Sequence, residues 1–293
     1  MSNHTLSFWL LIGLLVLLLI VGRLIAGLIW WAIGRATPPT QRLATRTGHA
    51  LSGRRRRLDA ISARFPRTSA WIGARFATDR FTGLPLTLVV ILAGYLVSLA
   101  SDLAEGVIER EEVVHFDARV NAALAPLRNT DLLHVFAQIT HLAAIPTLVA
   151  VVLVATAFLW ADRRTTYIPG LLLTVLGSQA LTYVGKYAID RHRPDFLTFA
   201  SAVTPSFPSG HATGAMAVYG FVAYAIARVL PSPRMRFELA YWCAALILLI
   251  AFSRLLLSVH FTSDVAAGLL VGGFWLLAGF ALTEFLNERA KRH

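Results

Sequence analysis

The chain has little charge, almost no lysine and a single cysteine, and each shortage excludes a class of protein. Cys243 is the one cysteine in 293 residues and lies in a hydrophobic run. No intrachain disulfide or cysteine-built metal site can form, and the residue reads as a small buried apolar side chain. Charged residues are 15% of the sequence, where soluble domains carry about 25%. Hydrophobic residues are 56%, with a mean hydropathy of +0.63, which is the composition of a membrane protein. The alternation of a membrane β-barrel is absent, as are repeats and low-complexity tracts. Met1 to Thr5 lacks the basic start of a signal peptide. The apolar stretch that follows, Leu6 to Ile33 with Arg23 inside it, is too long for a signal core. An uncleaved anchor is expected.

Seven stretches are long enough to cross a bilayer: 7–30, 83–101, 143–160, 168–187, 211–230, 238–254 and 264–283. Backbone polar groups in such segments must pair internally, so an all-α, polytopic helical bundle is expected. Its parts are an anchor at 1–35, a basic connector at 36–80 and a six-helix domain over 81–290. The net charge of +11 comes from 25 arginines and two lysines, Lys186 and Lys291. The arginines cluster between the hydrophobic runs, which suits positive-inside loops better than a nucleic-acid face. Arg54 to Arg57, Arg163 with Arg164, Arg234 with Arg236, and Arg289 with Arg292 fall in alternate connections or the tail. Those are expected in the cytoplasm, with the N-terminus outside and with loops 102–142, 188–210 and 255–263 also outside.

The connector, with Pro38–Pro39 and four consecutive arginines, reads as a topology signal that touches anionic headgroups; partner docking is the sharper alternative. Asp102 to Asp117, with Glu105, Glu109, Glu111 and Glu112, reads as a solvated loop or surface helix, or as a gate over a site. Trp30 and Trp31 resemble an interfacial belt. His115, His134 and His141 lack metal-ligand spacing and are set aside.

Three clusters carry chemistry. Lys186 lies at the outer end of the fourth span, followed by Arg193–Pro194, and a charge there is a functional candidate. Arg191 and His192 share the loop, and Arg191 could add positive potential. Pro208–Ser209–Gly210–His211 opens the fifth span. Serine suits an N-cap, glycine admits close approach to the backbone, and a helix start attracts anions. His211 can face such an anion. Arg254 ends the sixth span and can fork two hydrogen bonds onto phosphate. His260 and Asp264 are four apart, so on a helix Asp264 can hold one imidazole nitrogen and leave the other to attack. Capping the seventh helix is the plainer role for Asp264, and one carboxylate can do both. Donors, a nucleophile and a proton donor together make a phosphoryl-transfer site that needs no metal or other cofactor.

These clusters, in this order and spacing, resemble the tripartite signature of the type 2 phosphatidic acid phosphatase family over roughly residues 81–290. The resemblance implies a lipid phosphatase in which His260 forms a phosphohistidine, oriented by Asp264. His211 would protonate the leaving oxygen, and Lys186, Arg193, Arg254, Ser209 and Gly210 would hold the phosphate oxygens. The implied substrate is a lipid phosphate or diphosphate kept in the bilayer, such as undecaprenyl diphosphate, phosphatidylglycerol phosphate or phosphatidic acid. Composition and size suit a bacterial inner membrane, with the site on its outer face. Three rivals stand beside this reading: phosphotransfer to a lipid acceptor, a vanadate-dependent haloperoxidase of the wider kinship, and a transporter without catalysis.

Overall fold

The structure is a computed structural model that describes residues 13, 16–17, 19–32, 35, 75–77, 81–194 and 204–291. It falls into two units, 1–87 and 88–293. In the first, Leu19–Ala32 is a short apolar helix. The rest of the expected anchor and nearly all of the connector at 36–80 lie outside the described residues.

Eight α-helices follow among the described residues: α1 (Leu84–Glu109), α2 (Glu111–Leu124), α3 (Thr130–His141), α4 (Ile145–Ala161), α5 (Tyr167–Ile189), α6 (Gly210–Ala227), α7 (Pro233–Leu256) and α8 (Thr262–Ala290). No strand occurs among the described residues. Among the described residues, five segments are long and apolar enough to cross a membrane: α1, α3 with α4 taken together, α5, α7 and α8. Leu153, Val154 and Phe158 on α4, and Leu176 and Val184 on α5, are exposed as lipid-facing side chains would be.

The expected span at 211–230 is α6, which ends at Ala227 and is not one of these five segments. Its surroundings explain that. α6 touches α4, α5, α7 and α8, and Ala212, Ala215, Ala217, Val218 and Phe221 are each at most 1% exposed. A helix walled on all sides by protein needs small residues for close packing more than it needs hydropathy. α8 answers with Gly268 and Gly272. A β-carbon on these would stand 2.6 Å from the Ser209 carbonyl oxygen and 2.7 Å from that of Thr213, so glycine is required for the two backbones to meet.

The segment after the first long span departs from expectation. Residues 102–142 were expected as an outer loop, with Asp102–Asp117 a solvated loop or surface helix, but they complete α1 and form α2 and α3. Leu132, Leu133, Phe136 and Thr140 recur on one face of α3 and are buried, with α3 packed against α7. Asn129 caps α3 by accepting from the Leu132 N–H at 2.8 Å.

Candidate active site

Antiparallel packing brings four helix ends together. The C-terminal ends of α5 and α7 carry Lys186 and Arg254, and the N-terminal ends of α6 and α8 carry Gly210–His211 and Asp264. Asp190 adopts a left-handed φ of 47° and ends α5, turning the chain into Arg191–Pro194. Ser206 packs back on this turn, with its N–H on the Arg191 carbonyl at 2.8 Å and its hydroxyl on that of His192 at 3.0 Å. The Ser209 N–H donates to the Asp264 carbonyl at 2.9 Å, pinning the start of α6 to the start of α8.

All the residues singled out in the sequence lie at this end. Arg193 donates to the Val259 carbonyl at 2.7 Å and to that of Thr204 at 2.8 Å, and its Nη1 is 3.4 Å from His260 Nε2. Lys186 Nζ reaches the Pro205 carbonyl. Arg254, only 4% exposed, donates through Nη1 to Thr140 Oγ1 at 2.7 Å. Among the described residues none of these three cations has a carboxylate within ion-pair distance.

Asp264 sits in the first turn of α8, where a carboxylate suits both the helix dipole and the free N–H groups. Its Oδ2 accepts from the Phe261 N–H at 2.9 Å and stands 3.4 Å from His260 Nδ1. That last separation is long for a hydrogen bond, and Nδ1 has no other partner. The carboxylate faces the ring, so the nitrogen it orients is Nδ1, and Nε2 is the one turned toward Arg193. Burial and the surrounding arginines push the His260 imidazole down to about 4, against the pull of Asp264, so it is neutral near pH 7. His211 is half-buried in the first turn of α6, in the same polar cluster as Arg193, Arg254 and His260.

Among the described residues, Thr182 Oγ1, Ser209 Oγ, Arg254 Nε and Thr262 Oγ1 are buried at this end without a hydrogen bond, as is His260 Nδ1, which faces Asp264. Buried polar groups are rarely left so, and their clustering here suits an anion. Gly210 fits the same pattern. A β-carbon there would meet only Thr182 Cγ2 at 3.8 Å, so nothing in the protein demands glycine.

Three residues outside the expected site belong to its surroundings. Asp117, grouped in the sequence with solvated acids, is 1% exposed and paired with Arg191 at 2.8 Å. Arg191 also pairs with Asp264 at 2.7 Å. His141, set aside for lack of metal spacing, ends α3 beside Thr140. Charge composition alone could not separate Asp117 from its acidic neighbours. The apolar periodicity of α3 was the signal for Thr140 and His141.

A model of the PAP2 superfamily matches residues 167–288, which span α5 to α8 and every motif residue. Phosphatidylglycerophosphatase B of Bacillus subtilis is 35% identical over 179 residues, covering 60% of this chain and 85% of that protein. Lipid A 1-phosphatase of Rhizobium etli is 36% identical over 118 residues, 36% of this chain and 46% of that protein. The crystal structure of a transmembrane PAP2-type phosphatidylglycerolphosphate phosphatase from Bacillus subtilis superposes with a TM-score of 0.61 at 31% identity. That match covers 68% of this chain and 98% of that one. With the apolar helices and the motif residues gathered at one end of them, these matches make the chain an integral membrane protein that belongs to the PAP2 superfamily of lipid phosphatases.

Proposed function

We propose that the protein hydrolyses the terminal phosphate of a lipid monophosphate or diphosphate at the outer face of the membrane, through a phosphohistidine on His260. The observation that carries this reading is the meeting of a carboxylate-backed, neutral His260 with three cations that lack carboxylate partners, Lys186, Arg193 and Arg254. Four cations, counting Arg191, face two carboxylates, Asp117 and Asp264, and the surplus of two charges matches a phosphate dianion.

His260 Nε2 attacks phosphorus while the bond to the lipid oxygen breaks, and His211 delivers its proton to that oxygen. Water then attacks the phosphohistidine, gives a proton to His211, and releases phosphate as the phosphorus–nitrogen bond breaks. Lys186, Arg193, Arg254 and the Ser209–Gly210 backbone stabilise the oxygens as charge builds on them. Phosphoryl transfer asks mainly for such positioning and charge stabilisation, and these cations supply it without a divalent metal. Because the site lies at the ends of apolar helices, a lipid tail can stay in the bilayer while its head group reacts. The names of the relatives make phosphatidylglycerol phosphate the first substrate to try, with undecaprenyl diphosphate and phosphatidic acid beside it. The outward orientation is supported by Arg163, Arg164, Arg234 and Arg236, which flank the opposite helix ends.

The test is phosphate release by the purified full-length protein from those three lipids, with magnesium and with chelator. Release from at least one lipid in chelator is expected, and strict magnesium dependence would sink the mechanism. A cysteine placed in 195–205 should label from outside intact cells, and a reporter after His293 should be cytoplasmic.

A further inference from the structure

Behind His260 runs a chain of buried charges that begins on α2, outside the residues matched by the family. Asp117 Oδ2 accepts from Arg191 Nη2 at 2.8 Å, and Oδ1 accepts from the Ser263 N–H at 3.0 Å. The Ser263 hydroxyl also donates to Oδ2. Arg191 turns Nη1 to Asp264 Oδ1 and to Ser263 Oγ, both at 2.7 Å, with its guanidinium carbon 4.2 Å from the centre of the Phe261 ring. The Asp117 and Asp264 side chains are 0% exposed and that of Arg191 is 11% exposed. All four carboxylate oxygens are engaged, the last of them facing His260.

The same outer segment takes a second grip on the approach to His260. Arg128 donates to the Leu256 carbonyl at 3.0 Å, and the Ser258 hydroxyl donates to Asn121 Oδ1 at 3.0 Å. Buried ion networks are weak stabilisers, since apolar residues often serve as well, so this one calls for a role in geometry.

We propose that Asp117 and Arg191 are positioning residues for the nucleophile: Asp117 fixes Arg191, Arg191 fixes Asp264, and Asp264 presents His260 to the phosphate. The inference rests on the proposed phosphohistidine reaction and adds to it residues that touch neither substrate nor reacting atoms. Arg191 also offsets the charge of Asp264, and Asp117 offsets that of Arg191. The other groups acting on His260 are Arg254 from α7, Arg193 from the loop and His211 from α6.

Opposite charge changes at the two positions separate positioning from mere support. In Arg191→Gln, Asp264 loses its compensating cation, so the acid limb of kcat/KM moves to higher pH. In Asp117→Asn, Arg191 turns its whole charge on Asp264, and the limb stays or moves to lower pH. Loss of aim should lower kcat by about 10²-fold in Arg191→Gln and by about tenfold in Asp117→Asn, with KM little changed. Arg191→Lys keeps the charge but not the two-armed fork, so its limb should stay while kcat falls. This variant decides the matter if Arg191→Gln does not fold.

Measured on a soluble aryl phosphate and normalised to folded protein, these outcomes support the relay. A limb that moves the same way in Arg191→Gln and Asp117→Asn, an unchanged kcat, or a loss confined to KM overturns it. An active wild type with unaffected variants counts against the relay alone, whereas a wild type inactive on every phosphate overturns the proposed function and the relay with it.

Discussion

The two ends of the bundle are built from the same helices and treat polar groups in opposite ways. At the end carrying Arg164, Arg228 and Glu284 the polar side chains satisfy one another. The Tyr224 hydroxyl donates to Glu284 at 2.6 Å, Arg228 pairs with the same carboxylate at 3.2 Å, and Thr166 donates to Asn287 at 2.6 Å. Arg164 rests its guanidinium over the Tyr167 ring and donates to the Ala225 carbonyl at 3.0 Å. At the other end Lys186, Arg193 and Arg254 lean on carbonyls and a threonine, and Ser209 Oγ and Arg254 Nε have no partner. One end is closed by its own chemistry. The other leaves three cations without carboxylate partners among the described residues, as the proposed phosphate site requires.

The largest effect that would break this contrast belongs to the histidines. His260→Ala should abolish phosphoenzyme and turnover on lipid and aryl phosphates alike. His211→Ala should keep the nucleophile and lose general acid catalysis, about 10²–10⁴-fold on a lipid substrate, with a smaller loss on an aryl phosphate whose leaving group needs less protonation. Rapid-quench trapping of the phosphoenzyme with both substrates checks the pair. The reverse pattern would exchange the two roles.

Acid should act next. In the proposed mechanism His260 attacks only as the neutral imidazole, and its folded value is lowered to about 4, so kcat/KM should fall as pH drops through that value, about tenfold per unit. A pH–rate profile whose enzyme limb lies near the ordinary histidine value of about 6.5 would show that the site is not desolvated as described.

Gly210→Ala sharpens the comparison by separating binding from folding. Alanine favours a helix over glycine by about 1 kcal/mol, and there is room for the methyl group, so thermal stability should hold or rise while phosphate release falls several-fold. Unchanged turnover would mean that the backbone at 210 does not approach the phosphate.

The smallest effect is expected at the satisfied end. Tyr224→Phe removes one hydrogen bond and should lower stability by about 1 kcal/mol, with kcat unchanged. Denaturation and turnover measured side by side would test whether that end is structural only.

The motif residues were legible because their spacings are local: Lys186 to Pro194, Pro208 to His211, and His260 to Asp264 each fit within one helix end and its loop. The helices were legible because runs such as 83–101, and the stretch between Glu238 and Arg254, carry no charged residue. Asp117 was not, because only the fold brings it to Arg191 and Ser263. α3 was taken for loop because Asp131, His134, Gln138 and His141 interrupt its hydropathy, although its apolar residues keep a helical period. The end of α6 was overrun, because Val229 and Leu230 continue its apolar run past Ala227.

The contact of α6 with α8 at Gly268 and Gly272, together with the Ser209–Asp264 backbone hydrogen bond, ties His211 and Asp264 to one joint. Helices accommodate membranes of different thickness by tilting. With the joint at the helix tips, such tilting swings the far ends of α6 and α8 and leaves the tips in register. A change in acyl-chain length of the host membrane should therefore alter how lipids enter the site, and KM with it, while the chemical step proceeds at the same rate.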